Sequence, residues 1–267
     1  MAVRSKYPDA EIVAYNRSKE PLDKALSDGV INTATQTIDQ SFEGCRYIFL
    51  CAPVKTNISF ISRIMPYLDD ETVLTDVGST KGNIHEAISR LAPDIRFIGG
   101  HPMAGKEKSS YFNASEELIK GCYYFVTPSD NVGDTDIKDF ERFIEALGCR
   151  PIIVDPDKHD FIVGAISHVP HMAAYSLVKL VMDEDTPERY MRVTAAGGFK
   201  DITRVASSDP TMWEEICMAN KDNLTGLMDE YISKLKEIRE LISDGDGQKL
   251  HVIFEEAKAY RDSMMNK

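Results

Sequence analysis

Up to about residue 156 the chain alternates short runs rich in β-branched and aromatic residues with stretches whose apolar positions recur every three or four residues. The runs 11–16, 47–52, 72–78, 96–100, 123–128 and 151–155 predict strands, and 57–68, 83–91 and 136–147 predict amphipathic helices between them. Such alternation predicts an α/β fold with a mostly parallel sheet. Beyond Pro156 the strand pattern stops. Leu224, Leu227, Tyr231, Leu235, Ile238 and Ile242 keep helical steps, after an Asp209-Pro210 start signal and before a Gly245 stop. Leu250, Ile253, Phe254 and Ala257 continue the pattern in a last helix. A long amphipathic helix with one short partner leaves apolar surface uncovered, which predicts a homodimer.

Composition narrows the function classes. The chain has 267 residues, 43% of them apolar, enough for an ordinary core. Lys and Arg number 31 against 43 Asp and Glu, a formal charge of −12. That balance argues against nucleic acid or an anionic membrane surface as partner, and an anionic substrate would need a locally positive pocket. The longest apolar run of note, 47–54, falls well short of the ~20 residues of a membrane span. Met1 to Asp9 lacks the apolar stretch of a secretory signal, so a cytoplasmic protein is expected. Five cysteines at no C-x-x-C spacing are expected to stay reduced and mostly buried.

Ligands of open parallel sheets bind beyond the carboxyl ends of the strands, so the turns there are the candidate sites. They are Asn16-Arg17-Ser18, Ala52-Pro53-Val54, Gly78-Ser79-Thr80-Lys81 and the run from Gly99 to Gly105. Ser79 and His101 stand at two such ends, where a hydroxyl and an imidazole can orient each other. Gly100 to Lys106 also spells GxxxxGK, but Glu107 replaces the hydroxyl that a phosphate loop needs and puts an anion where phosphates would sit. His168 and His171, three apart, share a helix face and suit capping, packing or substrate contact better than a metal, for which no third ligand is nearby. Lys200 and Arg204, four apart beside Gly197-Gly198, can point the same way.

The stretches TDVGSTKG at 75–82, GGHPMAGKE at 99–107, SHVPH at 167–171 and GGFKDITRVASSDPTMW at 197–213 together resemble the prephenate dehydrogenase family of tyrosine biosynthesis. The resemblance implies a Rossmann-like dinucleotide-binding domain over 1–156 and a helical substrate and dimerisation domain over 157–267. It implies oxidative decarboxylation of prephenate to 4-hydroxyphenylpyruvate, with hydride passing to NAD or NADP. On this family's pattern His101 is the catalytic base, Ser79 its partner and Arg204 the carboxylate-binding group. His168, His171, Lys200 and Lys106 would line the anionic pocket, and Glu107 would gate it through an ion pair. Asn16, Arg17, Ser18, Ala52, Pro53, Val54 and Gly78 would face the cofactor. A neutral imidazole suits the task, since its pKa lies near ~6.5 and general-base help is worth roughly 100- to 10,000-fold.

The chain departs from the family's pattern in two places. No G-x-G-x-x-G occurs in the sequence, and by the family's layout the first strand, with roughly the first 20 residues, is expected to be absent. That strand would lie between 11–16 and 47–52 and leave two unpaired edges. Where an acidic residue would grip the ribose diol of NAD stands Asn16-Arg17-Ser18, which favours NADP. Two alternatives stay open: arogenate dehydrogenase, and a non-catalytic dimeric remnant unable to bind cofactor.

Overall fold

A computed structural model of the chain describes residues 1–105 and 110–264. In chain order the first elements are α1 (Ala2–Lys6), β1 (Val13–Tyr15), α2 (Lys19–Ser27), β2 (Thr33–Thr35), β3 (Tyr47–Leu50), α3 (Val54–Ile64), β4 (Val73–Asp76), α4 (Gly82–Leu91) and β5 (Phe97–Pro102). They are followed by β6 (Tyr123–Pro128), α5 (Asp134–Ala146), β7 (Arg150–Ile153), α6 (Pro156–Val163), α7 (Val169–Glu184), α8 (Tyr190–Thr194), α9 (Gly197–Thr203) and α10 (Pro210–Ala219). The last two are α11 (Lys221–Asp244) and α12 (Gly247–Ser263). One compact unit, Met1–Lys221, holds the strands and the helices through α10, and a second comprises Asp222–Lys267.

A five-stranded sheet has the order β3-β4-β5-β6-β7. It is parallel except where β6 meets β5, with His101 opposite Phe125. All four residues of β4 are buried, as expected of a strand covered on both faces. Ile48, Leu50, Leu74 and Phe97 pack with Ile61, Ile64, Ile84 and Ile88 of α3 and α4 on one face. Val73, Ile98 and Val126 pack with Phe140 and Ile144 of α5 on the other. Full burial of one such side chain stabilises the fold by about 1.5–3 kcal/mol. Gly99 and Gly100 are packing residues: a Cβ on Gly99 would overlap the Thr127 hydroxyl, and one on Gly100 the Tyr124 hydroxyl.

β1 and β2 form a separate two-stranded parallel sheet. The predicted strands omit β2, whose Thr-Ala-Thr is too short and too polar to carry a hydrophobic signal. No backbone pairing joins β1 to β3; a cavity of about 1620 Å³ lies between them.

In the helical region α6, a single π turn (Gly164–His168) and α7 run continuously. This helix, Pro156–Glu184, is long and apolar enough by length and composition to cross a membrane, with a mean hydropathy of 1.3 in its most apolar window. His159, Asp160, Val163, His168 and Ala174 are buried against the rest of the molecule, so one side serves as packing surface. Asp209-Pro210 opens the separate helix α10, whose first turn is capped by Asp209 accepting from Met212 N at 2.8 Å, rather than the long helix predicted from it. Gly245, at φ 70°, separates α11 from α12. All five cysteines are free thiols, and only Cys149 is buried, fewer than expected.

Candidate active site

The turn after β4 is organised by two buried charges. Asp76, the last residue of β4, pairs with Lys81 Nζ, which also donates to Gly100 O at 2.8 Å. The Asp76 carboxylate accepts from Gly78 N at 2.8 Å and Gly100 N at 3.1 Å. The end of β4, the end of β5 and the intervening turn are thereby locked together. Burial lowers the Lys81 pKa, opposed by the charge of Asp76. Breaking such a pair by removing one partner costs about 3–5 kcal/mol, because the other charge stays buried alone.

Against this frame stands a chain of hydrogen bonds. His101 Nδ1 lies 2.9 Å from His159 Nε2, and His159 Nδ1 lies 2.7 Å from Asp160 Oδ1. Asp160 Oδ1 also accepts from Lys81 N at 2.7 Å and its Oδ2 from Gly82 N at 2.8 Å, so α6 caps the N-terminus of α4. A carboxylate only accepts, so His159 carries a proton on Nδ1. With the His159 ring neutral, its bare Nε2 accepts from His101 Nδ1, which leaves His101 Nε2 with a free lone pair. Burial, followed by the nearby His159, Lys81 and His168, holds the His101 pKa well below its ordinary value. His101 is therefore neutral at physiological pH, with the tautomer a general base needs.

The helical wall carries His168, His171 and Trp213. His171 stacks on Trp213 with ring centroids 3.5 Å apart, and His168 meets the same indole edge-on at 5.8 Å. His168 Nδ1 pairs with Asn220 Nδ2 at 3.1 Å, and Asn220 also donates to Asp160 O at 2.7 Å. Burial pushes the His168 pKa down to about 4, so its Nε2 is a neutral donor. The indole N–H of Trp213 and the hydroxyls of Tyr124 and Tyr175 are buried without a partner among the described residues. Among those residues no cluster of His, Cys, Asp and Glu suits a metal ion.

The predicted site residues fall into groups. Ser79 sits half-buried in the turn before α4, one strand over from His101, but the His101 ring hydrogen-bonds to His159 rather than to Ser79. Lys200 on α9 and Arg204 just after it are exposed. Asn16, Arg17, Ala52 and Pro53 line one end of the cavity between β1 and β3, while Ser18 starts α2 and Val54 starts α3. Gly78 lies in the Asp76 turn. Lys106 and Glu107 lie outside the described residues. Sequence reasoning missed His159, Asp160, Asp76, Asn220 and Trp213, and named Lys81 only as part of a polar turn, without a role. The one local signal was the Asp155-Pro156 helix start, which places His159 and Asp160 in the first turns of α6.

Asn16 and Arg17 border the same cavity as Ala52-Pro53 at the start of α3, a polar and cationic lining of the kind that the ribose and phosphates of a dinucleotide would need. The glycine-rich turn that holds a pyrophosphate has no counterpart in residues 1–267.

Comparison with known proteins agrees with this layout. Residues 1–153 match the prephenate dehydrogenase nucleotide-binding domain and residues 155–256 the prephenate dehydrogenase dimerisation domain. The chain is 30% identical to a prephenate dehydrogenase of Bacillus subtilis over 99% of its own length and 72% of the relative's. The fold superposes on Aquifex aeolicus prephenate dehydrogenase in complex with hydroxyphenyl propionate and NAD+ with a TM-score of 0.92, at 30% identity, covering 98% of this chain and 92% of that one. It also matches Synechocystis arogenate dehydrogenase with a TM-score of 0.85, at 26% identity, covering 98% and 94%. With an α/β nucleotide-binding sheet, a helical region and both domain profiles matched in order, the chain belongs to the prephenate dehydrogenase family of NAD(P)-dependent oxidoreductases.

Proposed function

We propose that the protein oxidatively decarboxylates prephenate to 4-hydroxyphenylpyruvate, as a homodimer and with NADP preferred over NAD. The observation that carries this reading is the chain His101, His159, Asp160, which leaves His101 Nε2 as a neutral acceptor at a strand end. The nicotinamide, when bound, accepts the hydride from the carbinol carbon. His101 Nε2 receives the hydroxyl proton, and the ring carboxylate departs as carbon dioxide, leaving the ring aromatic. Ser79, with its hydroxyl uncommitted to His101, is the group to position the substrate hydroxyl. Arg204 offers a planar fork to a substrate carboxylate, with His168, His171 and Lys200 lining the anionic pocket. Trp213 holds His171 in place by stacking and has a buried N–H to give.

Arg17 supports NADP, being a cation where an acid would repel a 2′-phosphate. Exposed Leu177, Val178, Leu180 and Met182 on α7, within the part matching a dimerisation domain, support the homodimer. The intact proton-accepting chain favours an enzyme over a non-catalytic remnant. Arogenate differs from prephenate by an amine in place of the keto group, so the test is turnover of each substrate with each cofactor, followed through reduced nicotinamide. Prephenate with NADP is expected to give the highest kcat/KM. Faster turnover of arogenate would overturn the substrate assignment, and no turnover of either would overturn the enzyme reading.

A further inference from the structure

Asn220 stands where the two histidine arms of the site meet. It ends α10, with its backbone N–H on Ile216 O at 3.0 Å, and its side chain is buried. Its amide nitrogen Nδ2 lies 2.7 Å from Asp160 O and 3.1 Å from His168 Nδ1. A backbone carbonyl only accepts, so the group that faces Asp160 O is the NH2 and not the amide oxygen. Asp160 O also accepts from Gly164 N, which occupies its second lone pair. An NH2 group has two hydrogens and nothing with which to accept. One hydrogen goes to Asp160 O and the other to His168 Nδ1, which is thereby the bare nitrogen of its ring. The His168 proton then sits on Nε2.

The two imidazoles are thus held in opposite forms. His101 carries its proton on Nδ1, facing His159, and its Nε2 accepts; His168 carries its proton on Nε2, and that nitrogen donates. One residue joins the two arrangements. The Asp160 carboxylate accepts from His159 Nδ1, Lys81 N and Gly82 N, and its backbone carbonyl accepts from Asn220. His168 ends the π turn, buried, and meets edge-on the indole of Trp213 that stacks on His171, which fixes the plane of its ring.

We infer that Asn220 is a positioning residue: by donating to His168 Nδ1 it sets that imidazole as a neutral Nε2–H donor to an acceptor oxygen of the anionic substrate, and by donating to Asp160 O it ties this donor arm to the arm that holds the base. The substrate contact rests on the proposed reading of His168 as part of the anionic pocket. The tautomer rests on the hydrogen bonds alone.

The test starts with the full chain carrying isotope-labelled histidine. At neutral pH the ring-nitrogen shifts of His168, assigned by their loss in His168→Ala, are expected to be those of an Nε2–H imidazole. In Asn220→Asp a carboxylate accepts where the amide donated, so the proton is expected on Nδ1. An Nδ1–H or doubly protonated His168 in the wild type would overturn the inference, whether or not any Asn220 variant folds. KM for prephenate is expected to rise at least about fivefold in Asn220→Ala, and to change less than about twofold when the same substitution is made in His168→Ala, because the group through which Asn220 acts is then gone. An equal rise in both backgrounds would show a packing role and overturn the positioning role. So would an unmoved KM in a folded Asn220→Ala. Absence of prephenate turnover by the wild type would overturn the proposed activity instead, and the ring-nitrogen shifts alone then decide for or against Asn220.

Discussion

Replacing His159 by leucine tests the chemistry of the site most directly, because His159 touches the base without being placed to touch substrate. In the wild type His101 Nδ1 donates to His159 Nε2 at 2.9 Å. A leucine side chain cannot accept, so in His159→Leu the Nδ1–H of a half-buried imidazole loses its partner, at a cost of about 1–3 kcal/mol. That cost becomes a loss in kcat, at about 1.4 kcal/mol per factor of ten, only so far as the His101–His159 bond strengthens when His101 takes up the proton. Ring rotation or a change of tautomer would remove the aimed lone pair altogether, and with it the roughly 100- to 10,000-fold worth of a general base. We expect kcat for prephenate to fall about 100- to 1,000-fold, with KM changed less than about threefold. The pH profile separates this role from simple loss of packing. Burial is the main cause of the depressed His101 pKa, and the substitution keeps that burial while removing the acceptor that supports the imidazolium, so it moves the acid limb of kcat downward. Steady-state kinetics across pH, with circular dichroism as a check on folding, reads both effects. A folded variant with kcat within about twofold of wild type and an unmoved acid limb would refute the assignment.

Arg204→Gln should raise KM for prephenate much more than it lowers kcat, and His101→Asn should do the reverse; initial-rate kinetics on both variants checks the division of labour. Arg17→Asp should move the NADP to NAD ratio of kcat/KM about tenfold or more towards NAD, since it repels the 2′-phosphate and offers an acceptor to a ribose diol. His168 titrates at about 4 when folded and near ~6.5 when unfolded. Between those values the unfolded chain binds more protons, so the stability present above pH ~6.5 falls by about 1.4 kcal/mol per unit as pH drops. Urea denaturation at several pH values should show this slope in the wild type and a shallower one in His168→Gln. Gly100→Ala should lower stability by about 1–3 kcal/mol or prevent folding, because its Cβ would overlap the Tyr124 hydroxyl and lie 2.6 Å from Asp76 O. A thermal melt indistinguishable from wild type would contradict that packing.

What could be read from the sequence divides along a physical line. β3 to β6 were legible because a buried strand needs a continuous apolar run, and Tyr47 to Leu50 or Tyr123 to Val126 have no other use. β2 was not, since its three residues are held by pairing with β1 and by the packing of Ala34 rather than by apolarity of their own. The same division runs through the site. That His101 ends a strand beside the turn holding Ser79 follows from the order of runs and turns, and the structure pairs β4 and β5, the strands that lead to them. Which group holds the imidazole does not follow, because the hydrogen bond reaches 58 positions along the chain to His159, and the carboxylate behind it caps a helix from 78 and 79 positions away. Ser79 is the nearer candidate in sequence, and His159 is the one that bonds. On the proposed roles, a base fixed through its second nitrogen keeps its reactive nitrogen and the neighbouring hydroxyl both available to the same substrate oxygen. A base tied up by Ser79 would have spent one of the two groups on the other.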